Sequence, residues 1–227
     1  MTKLYFRYGV MSSSKSLNCL AVAHNYETLQ NKPVFLVKPS IDNRSGTDVE
    51  SRAGLKRKAD LIISPTDKNI IFYNVRNQTK RIYCVLVDEA QFLTEEQVYE
   101  LTEIVDLLQI PVICYGLKTN FKNDFVGFEG AEALLRWSDK IEEIKTVCFN
   151  DSCNNKAMFN MRLDYGIPVL DGDEIIIGDI FEPFSSFNEP HTEYKPVCRK
   201  CYKNYFGKYL KYRNDLEEIA HQTWFKI

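Results

Sequence analysis

The 227-residue chain is 44% hydrophobic, 26% charged and 13% aromatic, enough for one core with at most a small appendage and incompatible with wholesale disorder. Its 29 Lys and Arg against 31 Asp and Glu leave a net charge of −2, which excludes a global electrostatic drive toward nucleic acid or anionic membrane. No apolar run reaches the roughly 18 residues of a spanning helix and Met1–Tyr8 lacks a signal-peptide core, so a cytoplasmic protein is expected.

In chain order, Lys3 to Tyr8 predicts a strand and Lys15 to about Leu29 a helix, with Leu17, Leu20, Ala21 and His24 at helical spacing. Short buried strands follow at Val34–Val37, Leu61–Ile63, Tyr83–Val87 and Pro111–Tyr115. Between the last two, Thr94 to Leu108 predicts a helix capped by Thr94, with Glu96 or Gln97 in its first turn. Strands alternating with helices imply βαβ units and a mainly parallel sheet, an α/β core over residues 1–145. Beyond Glu143 the texture changes, and residues 146–204 are expected to form a small separate lobe. It holds two cysteine pairs, an expected hairpin from Asp171 into Glu174–Gly178, and an expected loop from Asp179 to Glu193. Residues 205–227 are expected to form a helical tail.

Three constellations carry chemistry. Gly9-Val10-Met11-Ser12-Ser13-Ser14-Lys15-Ser16, between a strand and a helix, is a near match to the phosphate loop G-x-x-x-x-G-K-[ST]. Backbone N–H groups of Gly9 and Ser12–Ser14 would face phosphates, Lys15 would add charge, and the Ser16 hydroxyl would ligate Mg²⁺. Ser14 stands where the motif has Gly, and a side chain there is strained if the backbone turns left-handed. The bland alternative is a Ser-rich turn.

Second, Val85-Leu86-Val87 ends in Asp88-Glu89, an acidic pair at the carboxyl end of a strand, where parallel sheets gather ligands. Asp88 suits the Mg²⁺ shell and Glu89 a general base. The two motifs together point to a Mg-ATP site. Third, Cys148 and Cys153 pair in sequence, as do Cys198 and Cys201, and four thiolates in two pairs fit a structural Zn²⁺. Unliganded cysteines in a small core are the alternative. The other three of the seven cysteines, Cys19, Cys84 and Cys114, sit in apolar surroundings and are expected in the core.

The phosphate loop, Asp88-Glu89-Ala90-Gln91-Phe92, Gly116-Leu117-Lys118-Thr119-Asn120-Phe121, Trp137-Ser138-Asp139-Lys140 and Val197-Cys198-Arg199-Lys200-Cys201-Tyr202 occur in the order of thymidine kinases of the cellular, zinc-containing type. From about Lys3 to Tyr202 the chain resembles their bacterial branch. The resemblance implies a RecA-like P-loop core with a zinc-ribbon-like lobe carrying a lasso loop, phosphoryl transfer from ATP to the 5′-hydroxyl of thymidine, and a homotetramer. It assigns Glu89 as base and Asp42, Arg44, Gln91, Phe92, Leu117, Phe121, Ile176, Ile177 and Tyr194 to the substrate site. Ser51-Arg52-Ala53-Gly54 resembles the family's flexible loop.

Besides Ser14, three departures stand out. The first cysteine pair is two residues longer than the family's C-x₂-C. The 179–193 stretch is longer than the usual lasso, and Asn160 replaces a commonly small or apolar residue near the thymine methyl. Either Phe125 or Val126 takes a second apolar substrate position. The runner-up function is a nucleic-acid-dependent ATPase with a zinc ribbon, because Asp-Glu-Ala-Gln is helicase-like; one core domain and a neutral charge argue against it.

Overall fold

The computed structural model describes residues 2–42, 46–173 and 192–224. The chain runs β1 (Leu4–Tyr8), α1 (Lys15–His24), β2 (Val34–Pro39), β3 (Asp48–Glu50), β4 (Lys56–Lys58), β5 (Leu61–Ile63), α2 (Ile70–Arg76), β6 (Cys84–Val87) and α3 (Glu95–Leu108). It continues through β7 (Val112–Gly116), α4 (Glu129–Trp137), β8 (Lys140–Glu143), β9 (Phe159–Asp164), β10 (Ile167–Val169), β11 (Thr192–Val197) and α5 (Arg199–Trp224).

Strand alternation builds the core. In β2, Phe35 and Val37 face one way, packing with Leu101 and Ile104 of α3, Ile71 of α2 and Leu134 of α4. Val34 and Leu36 face the other way, joining Cys19, Leu20 and Ala23 of α1. This two-residue period, repeated in β6 and β7, gives a sheet covered on both faces. The order β5-β2-β6-β7-β1-β8 is parallel at every pairing, as the βαβ pattern predicts. Cys19, Cys84 and Cys114 are buried in this core as expected, and burial pushes all three thiols up, Cys84 to about 12.

The helix expected to reach Leu29 is α-helical only to His24 and then widens into one π-helical turn, Asn25–Leu29. Thr94 caps α3 in a full capping box with Gln97. Sequence reading missed the β3–β4 hairpin, α2, α4 and the β9–β10 hairpin. The last turns on Tyr165 and Gly166, both at positive φ (51° and 78°), the backbone of a tight two-residue turn.

The second sheet, β10-β9-β11, is antiparallel. Thr192 and Glu193 correct the expected 179–193 loop: they open β11, pairing with Asp164 and Leu163 of β9. The expected hairpin beyond Asp173 and the rest of that loop lie outside the described residues, as do Arg44, Ile176 and Ile177. The carboxy-terminal helix α5 begins at Arg199, within the second cysteine pair.

Candidate active site and cysteine cluster

Because β7 lies between β6 and β1, the carboxyl ends of three adjacent strands converge. The phosphate loop leaves β1, Asp88 and Glu89 leave β6, and Leu117 leaves β7. Gly9 N–H donates to the Gly116 carbonyl at 3.2 Å, stitching the loop to β7. A Cβ on Gly9 would strike the Ser13 hydroxyl and approach the Ile144 carbonyl oxygen to 2.7 Å, so this position requires glycine.

Ser14 precedes α1 with φ 63° and ψ 30°, the left-handed conformation in which a side chain is strained, and Ser12 has φ 60°. Lys15 is buried, and its Nζ donates to the Val10 carbonyl at 2.9 Å. The buried Ser13 Oγ makes no hydrogen bond among the described residues. An orphaned hydroxyl beside a buried lysine at a helix amino terminus fits an oxyanion ligand.

Asp88 is buried, and the Ser16 side chain hydrogen-bonds its carboxylate, so the two motifs meet. Burial first, then the neighbouring Glu89 charge, pushes the Asp88 carboxyl up to about 7, with Asp42 adding to the rise; Ser16 and Lys15 oppose it. A buried carboxyl raised in this way by the charges of its neighbours is matched to a cation. Asp42 is buried at the end of β2, with its Oδ2 3.3 Å from Lys38 Nζ.

Glu89 also has a left-handed backbone, φ 51°. Gln91 Nε2 donates to Glu89 Oε2 at 2.6 Å, while Gln91 Oε1 accepts from Leu117 N–H at 2.9 Å. Fully buried, Gln91 therefore holds Glu89 against β7 with both ends of its amide. A Cβ at Gly116 would come within 2.8 Å of Gln91 Oε1, which explains that glycine.

The apolar residues gather nearby. Phe92 packs edge-on against Phe128 with ring centroids 5.4 Å apart, and Leu117 and Phe121 are buried. Tyr194 of β11 lies 6.3 Å from the Phe121 ring, and the Arg162 guanidinium sits 5.3 Å over it. Phe125 packs on the core while Val126 is 57% exposed, which leaves Phe125 as the packed member of that pair. Two cross-links join the lobe to the core: Met11 N–H donates to Asn160 Oδ1 at 2.7 Å, and the Tyr202 hydroxyl donates to the Phe121 carbonyl at 2.9 Å. Sequence reasoning missed the roles of Gln91 and Asn160, and Arg162 altogether, because each depends on strands distant in sequence becoming neighbours.

The sulfurs of Cys148, Cys153, Cys198 and Cys201 lie within 4.8 Å of one another and could hold a metal ion. The longer first pair closes through Cys148 N–H to the Asn155 carbonyl and Cys153 N–H to the Asn150 carbonyl, both 2.8 Å. Cys153 and Cys198 sulfurs are 3.6 Å apart, close to the roughly 3.8 Å edge of a tetrahedron with 2.3 Å metal–sulfur bonds. N–H groups of Cys198, Cys201 and Asn155 point at three of the sulfurs, as ligating thiolates require.

A parallel sheet whose first strand runs into a phosphate loop, with an acidic pair on a neighbouring strand, defines a P-loop nucleotide-binding fold. The chain belongs to the thymidine kinase family, whose model matches residues 2–202. The thymidine kinase of Streptococcus gordonii is 45% identical over 203 residues, covering 89% of this chain and 96% of that protein. That of Listeria monocytogenes serotype 4b is 46% identical over 206 residues, 90% and 98% of the two chains. That of Shouchella clausii is 44% identical over 206 residues, 90% and 97%. These matches favour the kinase reading over the nucleic-acid-dependent ATPase. Among the described residues no helix is long and apolar enough to cross a membrane.

Proposed function

We propose that this protein transfers the γ-phosphoryl group of ATP to the 5′-hydroxyl of thymidine. The observation that carries the reading, beside family membership, is the meeting of Ser16 and Lys15 with Asp88 and Glu89 beneath one loop. The N–H groups and hydroxyls of Gly9 and Ser12–Ser14 hold the phosphates, and Lys15 supplies charge to them. Ser16 and Asp88 are the residues that would hold Mg²⁺, which when bound neutralises charge on the transferring group. The 5′-hydroxyl proton passes to Glu89, whose carboxylate Gln91 keeps oriented. Phe92, Leu117, Phe121 and Tyr194 form the apolar walls for the base, and Asp42 with Arg44 and the Ile176–Ile177 backbone complete the substrate contacts.

The cysteine cluster holds a structural Zn²⁺, a reading supported by four protein sulfurs within 4.8 Å of one another, the donor set of a closed tetrahedral site. We assign a homotetramer in the cytoplasm; the exposed Tyr99–Trp137 edge-on pair and Leu107 offer apolar surface for subunit contact. The test is product formation from Mg-ATP with thymidine, other deoxynucleosides and single-stranded DNA in parallel. Thymidine-dependent formation of thymidine monophosphate is expected. ATP hydrolysis stimulated by DNA, with no nucleotide product, would overturn the proposal. Light scattering of the purified protein checks the tetramer.

A further inference from the structure

Arg52 is carried on the tip of the β3–β4 hairpin, and the hairpin is anchored on every side. Lys38, only 2% exposed, donates to the Asp48 carbonyl at 2.8 Å and the Gly46 carbonyl at 3.3 Å. Val49 packs in the α1-side core, and Arg57 binds both carboxylate oxygens of Glu27 at 2.7 and 3.2 Å. The tip itself is closed by Ser51 N–H to the Leu55 carbonyl (2.8 Å) and Gly54 N–H to the Ser51 carbonyl (2.9 Å), with the buried Ser51 hydroxyl bonded to both Leu55 backbone groups. A turn this well fixed presents its side chains in one direction.

That direction is the phosphate loop. Arg52 Nη1 donates to Ser12 Oγ at 2.5 Å, across 40 residues of sequence. Around the same loop Lys15 Nζ donates to the Val10 carbonyl, and Ser13 Oγ is buried without a hydrogen bond among the described residues. Two cations of different origin thus reach neutral oxygens of one loop that also contains an orphaned buried hydroxyl. A phosphate oxygen is a stronger acceptor for a guanidinium than a serine hydroxyl is, and the guanidinium fork can engage two such oxygens at once.

We propose that Arg52 is a catalytic residue of the phosphoryl transfer, an arginine supplied by the chain's own hairpin that leaves Ser12 to contact the terminal phosphoryl group of the bound nucleoside triphosphate. It neither gives nor takes a proton; it stabilises charge on the group in flight. The inference rests on the reading of this loop as the ATP site.

The experiment compares parent, Arg52→Gln, Arg52→Lys and Lys15→Ala in steady-state thymidine phosphorylation and in equilibrium binding of Mg-ADP, with thermal unfolding of each. Arg52→Gln is expected to lower kcat about a hundredfold. Its thymidine KM, Mg-ADP affinity and melting temperature should stay within about twofold or a few degrees of the parent, because ADP lacks the contacted group. Arg52→Lys, which keeps the charge but not the fork, should recover part of the loss. Arg52→Gln with near-parental kcat, alongside an inactive Lys15→Ala, overturns the inference and leaves the loop assignment standing. A parallel loss of kcat, Mg-ADP binding and melting temperature in Arg52→Gln makes the contact a structural latch and overturns it too. A fully active Lys15→Ala removes the ATP reading itself and the inference with it.

Discussion

The backbone at Ser14 carries a side chain where left-handed geometry costs an ordinary residue about 1–2 kcal/mol. Ser14→Gly is therefore expected to raise unfolding stability by about 1 kcal/mol in urea titrations, and to keep or modestly raise activity. Glu89 and Gln91 form a unit of a different kind. Replacing the carboxylate by an amide in Glu89→Gln preserves shape but removes the basic oxygen, so kcat should fall at least about a hundredfold with ATP affinity little changed. Gln91→Ala removes the amide hydrogen bond to the Glu89 carboxylate and leaves the Leu117 N–H without its buried acceptor. Its kcat should drop with the base left in place, and the pH–rate profile should shift, whereas a merely structural loss would leave the profile's shape intact. The acids and the lysine of this site stand out in the sequence because charged residues beside apolar runs are conspicuous. Gln91 does not: its partner Leu117 is 26 residues away and meets it only because β6 and β7 are adjacent.

Elements that carry their own signals were legible. β6 is four consecutive buried residues, and α3 opens on a capping box, so both could be read locally. Thr94→Ala should cost about 1 kcal/mol, measurable as a lower urea midpoint. The β3–β4 hairpin had no such signal: its second strand is Lys-Arg-Lys, and among its strand residues Val49 alone is buried, so neither alternation nor hydrophobicity marks it. α2 is equally silent, with a left-handed Asn69 at its start and no side-chain cap of its own. Its cap arrives from α3: the buried Glu100 Oε1 accepts from Phe72 N–H at 2.6 Å, while Glu100 Oε2 is buried and makes no hydrogen bond among the described residues. Burial raises the Glu100 carboxyl above its ordinary value of 4.5, with the backbone N–H groups of Phe72 and Ile71 opposing. A raised folded value means the folded protein holds a proton that the unfolded chain has released, so this contribution is present below about pH 4.5 and is lost as pH rises through the folded value. Glu100→Gln cannot titrate. Its urea midpoint relative to the parent should therefore move in the variant's favour between pH 4.5 and neutrality, and a pH-independent difference would contradict this account.

At the scale of the whole molecule, the cysteine lobe is joined to the phosphate loop by Asn160 and to the Phe121 carbonyl by Tyr202. Metal loss should then reach the active site. Cys201→Ser is expected to lower metal content, melting temperature and Mg-ATP affinity together, each lost kcal/mol of stability moving the melting point about 2–4 °C. Asn160→Ala should weaken nucleotide binding with metal content unchanged, separating the tether from the metal. Elemental analysis and calorimetry check both. The parallel sheet order also sets when each strand can pair during synthesis. β1 is made first, yet its neighbours β7 and β8 begin at Val112 and Lys140, more than a hundred residues later. At a synthesis rate of about 5–20 residues per second, Leu4 and Phe6 wait on the order of ten seconds for a partner strand, and the phosphate loop cannot take shape before then. A nascent chain halted at Leu108 should be protease-sensitive throughout, because the strand bearing the nucleotide loop is the last of the central strands to gain its neighbours.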